Sequence, residues 1–258
     1  MATEYSGGGD PARSLALLWR TQDGPSSGRR GRSDLGVDRI VRAGIDIADA
    51  DGLAALSMRR VADHLGVGTM SLYTYVPGKA ELIDVMLDTV YGETARAVDD
   101  DADWRSRLTR IARENWALYH RHPWMLQVAA GRAVLGPNAI AKYDHELGAV
   151  ADLGLTEIEM DSLLSLVLGH AEAAARRAVE MAQVEQRSGM TDEQWWRAHA
   201  PLLGQFLDPQ RYPTAARVGS AAGQAHGSAH NPAHTFEFGL QRILDGIEAF
   251  VATRSTDG

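Results

Sequence analysis

From Gly36 onward, apolar residues recur at three- and four-residue steps. Val37, Ile40, Val41, Ile45 and Ala48 share one face, which predicts an amphipathic helix closed by Asp51-Gly52. Ser57 offers an N-cap hydroxyl to a second, shorter helix whose apolar side is Met58, Val61, Ala62 and Leu65, and Gly66 stops it. Thr69 opens another short segment that Val76-Pro77-Gly78 closes. Beyond Lys79 the helical period runs to the C-terminus, with breaks at Pro123, Pro137, Gly154, Gly189, Pro209 and Pro213. The segments between the breaks predict helices near 80–98, 103–121, 124–133, 138–152, 156–187 and 191–206, with a last one at about 233–253. The stretch from Ala215 to Pro232, rich in Ala, Gly, Ser and His, is expected to be a mobile connection. No segment alternates as a strand does. The expected class is all-α, without an internal repeat.

Composition sharpens this reading at three points. The 258 residues contain no cysteine, which excludes disulfide frameworks, thiol nucleophiles and thiolate metal sites together. No apolar run approaches the ~18 residues of a membrane span, and no signal-peptide pattern opens the chain, so a cytoplasmic protein with no membrane partner is expected. The net charge of −8 is unevenly spread: residues 1–79 carry about +1 and the rest about −9. Arg29, Arg30 and Arg32 concentrate positive charge ahead of the first strong helix, within a Gly- and Ser-rich stretch, 1–34, expected to be a flexible basic arm. Within that arm Leu15 to Trp19 form an apolar cluster fit to dock on the protein's own surface.

The spacing from Val61 to Tyr75 has mechanical content. Ala62 is small where two crossing helices must approach, Gly66 permits a left-handed turn, and Val67 and Leu72 plug the angle between the helices. Such a unit is either an αα-corner of an ordinary helical protein or a helix-turn-helix that projects its second helix into a major groove. The run "AGIDIADADGLAALSMRRVADHLGVGTMSLYTYVPGKAELIDVML", within Ile40 to Leu87, resembles the DNA-binding domain of tetracycline-repressor-type (TetR family) regulators. "FEFGLQRILDGIEAF", from Phe236 to Phe250, is similar to the tetracycline-repressor-like C-terminal class.

The resemblance implies a helix-turn-helix domain over 35–82 and a helical ligand-binding and dimerisation domain over 83–258. It implies that Arg59 reaches a base edge or phosphate, and that Thr69, Met70, Ser71, Tyr73 and Tyr75 lie in or beside the recognition helix. Tyr73 and Lys79 match phosphate-contacting positions, and Arg60 divides between a phosphate and an acidic neighbour. The basic arm is expected to enter an adjacent minor groove. The implied partners are a double-stranded operator, a second copy of the chain and a small-molecule effector, with no cofactor. Leu240, Ile243, Leu244 and Ile247 are expected at the dimer interface, where Gly239 and Gly246 allow close approach.

Trp116, Tyr119, His120, Trp124, Met125, His170, Met181, Trp195, Trp196 and Phe206 supply an aromatic and methionine wall suited to a flat, largely apolar ligand, although each alone fits an ordinary core. The ligand's expected action is to release a repressor of efflux or specialised-metabolism genes, with the helix that starts at Lys79 as the lever. A regulator without a ligand is one alternative; an enzyme using the aromatic pocket is the main rival class, and its motifs fail singly. His145-Glu146 is followed by Ala149 where a zinc protease needs its second histidine, and Gly78-Lys79 has Tyr73 where a phosphate loop needs glycine. His226, His230 and His234 are expected in a solvated loop, since Gly227 and Pro232 interrupt a common helix.

Overall fold

The computed structural model describes residues 4–5, 10–20, 35–94, 103–129 and 132–254, so Arg29, Arg30 and Arg32 lie outside the described residues. The first helix, α1 (Pro11–Leu18), falls inside the stretch expected to be flexible. Asp10 caps it by accepting the Arg13 N–H at 2.9 Å, and Pro11 sits where no N–H is needed. Burial offsets its ordering cost, because Leu17, Leu18 and Trp19 join a core shared with Ile40, Leu82 and Met86. The Trp19 indole N–H then donates to the Leu135 carbonyl at 2.8 Å, and Arg20 pairs with Asp38.

Helices α2 (Val37–Asp51), α3 (Met58–Leu65), α4 (Thr69–Tyr73) and α5 (Lys79–Tyr91) follow the predicted pattern. Ile40, Val41, Val61, Ala62, Leu72, Val76, Leu82 and Met86 are buried together as their common core. Helix α5 stops at Tyr91, short of the expected residue 98.

The second half is built on α6 (Trp104–Arg121), α7 (Pro137–Leu147) and the 32-residue α8 (Glu157–Ser188), followed by α9 (Asp192–Phe206), α10 (Pro213–His226) and α11 (Pro232–Arg254). Two expectations need correction here. The helix expected over 124–133 does not form over its described part: Pro123–Gln127 form a 3-10 turn, and Val128–Ala129 (β2) pair in parallel with Glu4–Tyr5 (β1), the one strand pair among the described residues. Burial of Trp124, Met125 and Leu126 and a hydrogen bond from Arg176 to the Leu126 carbonyl hold the turn in that shape. Within the stretch from Ala215 to Pro232, expected to be a mobile connection, the residues up to His226 are helical. Pro213 starts the helix, its alanines favour it, and Gly227 ends it in the left-handed conformation at φ 63°. His226 and His234 therefore sit at two helix ends across a short turn, with rings 4.9 Å apart.

Helix α11 packs on α8 and α6 through Phe236, Leu240, Leu244 and Ile247. Three residues expected at an interface between copies, Leu240, Leu244 and Ile247, are thus buried in the chain's own core, and Ile243 is half-buried beside them. The reason is geometric. A helix that must cover its own α6–α8 layer spends its most apolar stripe there. Gly239 makes room for the His170 ring, since a Cβ at 239 would lie 2.3 Å from it.

Candidate nucleic-acid interface and sensor

The helix-turn-helix is assembled by short local contacts. The Ser57 hydroxyl accepts the Arg60 N–H at 3.1 Å and starts α3. Gly66 ends α3 at φ 70°, a region open to glycine without strain, and the Val67 N–H returns to the Ala62 carbonyl at 3.0 Å. Fully buried Val61, Ala62, Leu72 and Val76 then lock α4 across α3. What remains faces outward: Met70 is 78% exposed, and Arg59, Ser71, Tyr73 and Tyr75 are exposed beside it. Thr69 and Lys79 are half-buried at the starts of α4 and α5. Arg59 meets Asp63 only loosely, at 3.9 Å, whereas Arg60 binds Asp51 at 2.5 Å and ties α3 to the end of α2. Such a surface offers one guanidinium, two phenols, a hydroxyl and a thioether, groups able to read base edges and phosphates.

Helix α5 carries this head into the second half. Its Asp88 is buried, accepts the Ala139 N–H at 2.9 Å and the Asn138 side-chain N–H at 3.2 Å, and so caps α7 from another helix. Gly136 permits the approach, as a Cβ there would lie 2.2 Å from the Asp88 Oδ1. Burial raises the Asp88 carboxyl above its ordinary range, more than those hydrogen bonds lower it. A raised native value stabilises the fold below the unfolded carboxyl range and loses that contribution as pH climbs through the native value. Asp88→Asn keeps an acceptor for Ala139. Its midpoint in thermal melts should rise relative to the parent at neutral pH, with the gain vanishing toward about pH 3–4; an equal gain at both pH values would show that charge burial is not the cause.

The residues expected to wall a single pocket are not gathered within one copy. Trp124 and Met125 are buried in the first core, and Tyr119 packs against it. Trp116 stacks on Phe236 at 4.4 Å and contacts the exposed His120 at 4.5 Å, while His170 stacks on Phe236 at 5.8 Å. Met181 is half-buried on α8, and Trp196 is half-buried against Gly223 of α10. Trp195 is exposed and Phe206 is 83% exposed.

The sequence reading missed a polar set. Lys142 and Glu146, both buried, pair at 2.6 Å, and Asn115 donates to the same Glu146 oxygen at 2.7 Å. The Tyr91 ring lies 5.6 Å from the Lys142 Nζ, and burial pushes its phenol up to about 12; burial drives the Tyr119 phenol higher still. Lys142 and Glu146, four apart on one predicted helix face, were the available signal. Elsewhere α6 is laced to α11 by Arg105 with Asp245 and by Arg113 with Glu237, and the two arginines line an open cleft of about 580 Å³. Among the described residues no helix is long and apolar enough to cross a membrane, and no three His, Asp or Glu are placed to hold a metal ion.

Apolar surface also lies open on the helices of the second half, two of which, near 156–187 and 233–253, are expected to pair with their mates in a second copy. Helix α8 exposes Ile158, Leu166 and Val184, with Ser162, Gly169 and Ala173 between them at helical steps, and α11 exposes Phe238 and Phe250. Helices α9 and α10 bury no residue at all, and Leu202, Leu203, Phe206 and Val218 stand open on them.

Comparison with known proteins agrees with this geometry. Residues 40–86 match the family described as bacterial regulatory proteins, tetR family, and residues 98–251 match the tetracyclin repressor-like C-terminal domain. The HTH-type transcriptional repressor DrrR1 of Streptomyces coeruleorubidus is 46% identical over 254 residues, 98% of this chain and 91% of that protein. Apo ActR from Streptomyces coelicolor superposes with a TM-score of 0.69 at 26% identity, covering 85% of this chain and 98% of that one. ActR in complex with actinorhodin gives 0.70 at the same identity, covering 83% and 96%.

Proposed function

This chain belongs to the TetR family of DNA-binding transcriptional regulators, and from that premise we propose that two copies present their α4 helices to successive major grooves of a palindromic operator until a flat, largely aromatic effector releases them. The observation that carries the reading head is the contrast within α3–α4: a fully buried scaffold of Val61, Ala62, Leu72 and Val76 under an outward set of Arg59, Met70, Ser71, Tyr73 and Tyr75. The open stripes of α8 and α11 support the pairing of two copies, as they lie on the helices already packed together and would complete a four-helix interface. The α9–α10 arm, with its apolar residues uncovered in one copy, then reaches the second copy. That placement lets Trp195 and Phe206 contribute to a pocket whose other walls belong to the partner. The effector class is supported by the aromatic interior and by the actinorhodin complex of ActR. Buried Lys142, Glu146 and Asn115 would anchor the polar edge of such a molecule.

Fluorescence anisotropy on the DNA upstream of the protein's own gene, at two salt concentrations, tests the reading head. Lys79→Ala should reduce the salt slope by about one unit, and Arg59→Ala should relax sequence preference while leaving that slope nearly unchanged. Equal loss on specific and random DNA for both variants would contradict the assigned roles.

A further inference from the structure

His122 follows the last turn of α6 and is only 4% exposed, yet it is a polar ring with two nitrogens to satisfy. Its Nδ1 lies 2.8 Å and 3.0 Å from the two carboxylate oxygens of Asp49, on α2 of the reading head. Its Nε2 lies 3.0 Å from Glu93 Oε2, two residues past the end of α5. Each carboxylate has a second partner from the sensor side: the Trp124 indole N–H donates to Asp49 at 2.9 Å, and Arg121 donates to Glu93 at 2.9 Å. One imidazole therefore touches the head and the end of the lever from the sensor.

The chemistry of the contact is specific. Carboxylates accept and do not donate, so both ring nitrogens must carry a proton for both contacts to be hydrogen bonds. Only the imidazolium has two N–H groups. A neutral ring would donate to one carboxylate and turn a lone pair toward the other, replacing a charge-assisted hydrogen bond with repulsion. The charged groups that face the ring are Asp49 from α2, Glu93 from the end of α5 and, through Glu93, Arg121 from α6. Burial raises the Glu93 carboxyl, but the hydrogen bonds from His122 and Arg121 outweigh it and hold that group below its ordinary range.

We propose that His122 is a proton-sensitive positioning residue that fixes the reading head and the end of the lever to the sensor as an imidazolium and loosens that joint when it loses a proton. The inference rests on the DNA-binding reading for its effect on operator affinity. A head held in one orientation loses less freedom on binding, so affinity falls when the ring gives up its proton.

Glu93→Gln separates this idea from a merely structural role. A glutamine amide can donate to the Nε2 lone pair while Nδ1–H still donates to Asp49, so both contacts survive on a neutral ring. The test is operator affinity by anisotropy from about pH 6 to about pH 8, together with hydrogen exchange of the α2 amides without DNA, corrected for intrinsic rates. The expected result is an affinity for the parent that weakens by about tenfold, with α2 protection falling alongside it. Glu93→Gln should hold both nearly constant, and His122→Ala should be weak and poorly protected throughout. Parent α2 protection that is independent of pH overturns the joint whatever the DNA does. An affinity profile in Glu93→Gln that matches the parent, with its pH dependence intact, also overturns it. Loss of operator binding at every pH with the protection pattern as expected would count against the operator chosen and leave the joint standing.

Discussion

Trp124→Ala should cost about 3–5 kcal/mol of folding stability, the range for emptying a large buried aromatic site, and lower the thermal midpoint by roughly 6–20 °C. Trp124 is fully buried among Leu118, Met125, Val128 and the residues of α2 and α5, so its removal opens a cavity at the junction of the reading head and the sensor. The same change strips Asp49 of its indole donor. Trp124→Phe separates the two effects, because it keeps most of the buried area and loses only the N–H, and should fall well short of the alanine change. Trp195→Ala is the control, an exposed tryptophan from the same predicted wall, with an expected loss below about 1 kcal/mol. Calorimetry on the three variants decides the matter. Equal losses for Trp124→Ala and Trp195→Ala would mean that α9 is packed far more tightly than one copy shows.

Placing charge on the open stripe of the sensor should act on assembly and leave the fold of each copy intact. Leu166→Glu with Phe238→Glu introduces two like charges at exposed positions of α8 and α11, so neither carboxylate is buried in an isolated copy. In a self-pairing interface each substitution appears twice, and four carboxylates would then meet where apolar groups had met. Sedimentation should show monomers where the parent sediments as a dimer, with unchanged circular dichroism. Operator affinity should fall by about 10²- to 10⁴-fold, because the second reading head no longer binds at the high effective concentration its partner provided. A dimer that persists in the double variant would place the interface on the α9–α10 arm instead.

The reading head was legible residue by residue because its determinants are local. Ser57, Gly66, Val67 and Leu72 act within a few residues of one another, and each occupies the place its chemistry requires. The sensor was legible as helices and not as a site. Periodicity marks an apolar stripe but not what covers it, so Leu240, Leu244 and Ile247 were expected at an interface between copies although they fill the chain's own core. Helix α10 was hidden by glycines and histidines that lower propensity, although Pro213 and its alanines favoured a helix. The ten aromatic, histidine and methionine residues of the expected wall were identified by type alone, and type does not fix position. Trp124 and Phe206 stand at opposite extremes of burial. His122 escaped notice because Asp49 and Glu93 are 73 and 29 residues away from it in the chain.

The hydrogen bond from Trp19 to Leu135 spans 116 residues and sets an order of events as the chain leaves the ribosome. At about 5–20 residues per second, the segment that becomes α1 emerges roughly 6–23 s before its acceptor. The contacts among α2, α3 and α4 need only their immediate neighbours and are complete long before. Leu17 and Leu18 can settle on the core of α2–α5 before that interval ends, but the Trp19 N–H waits for Leu135 until its close, so α1 is secured in two steps.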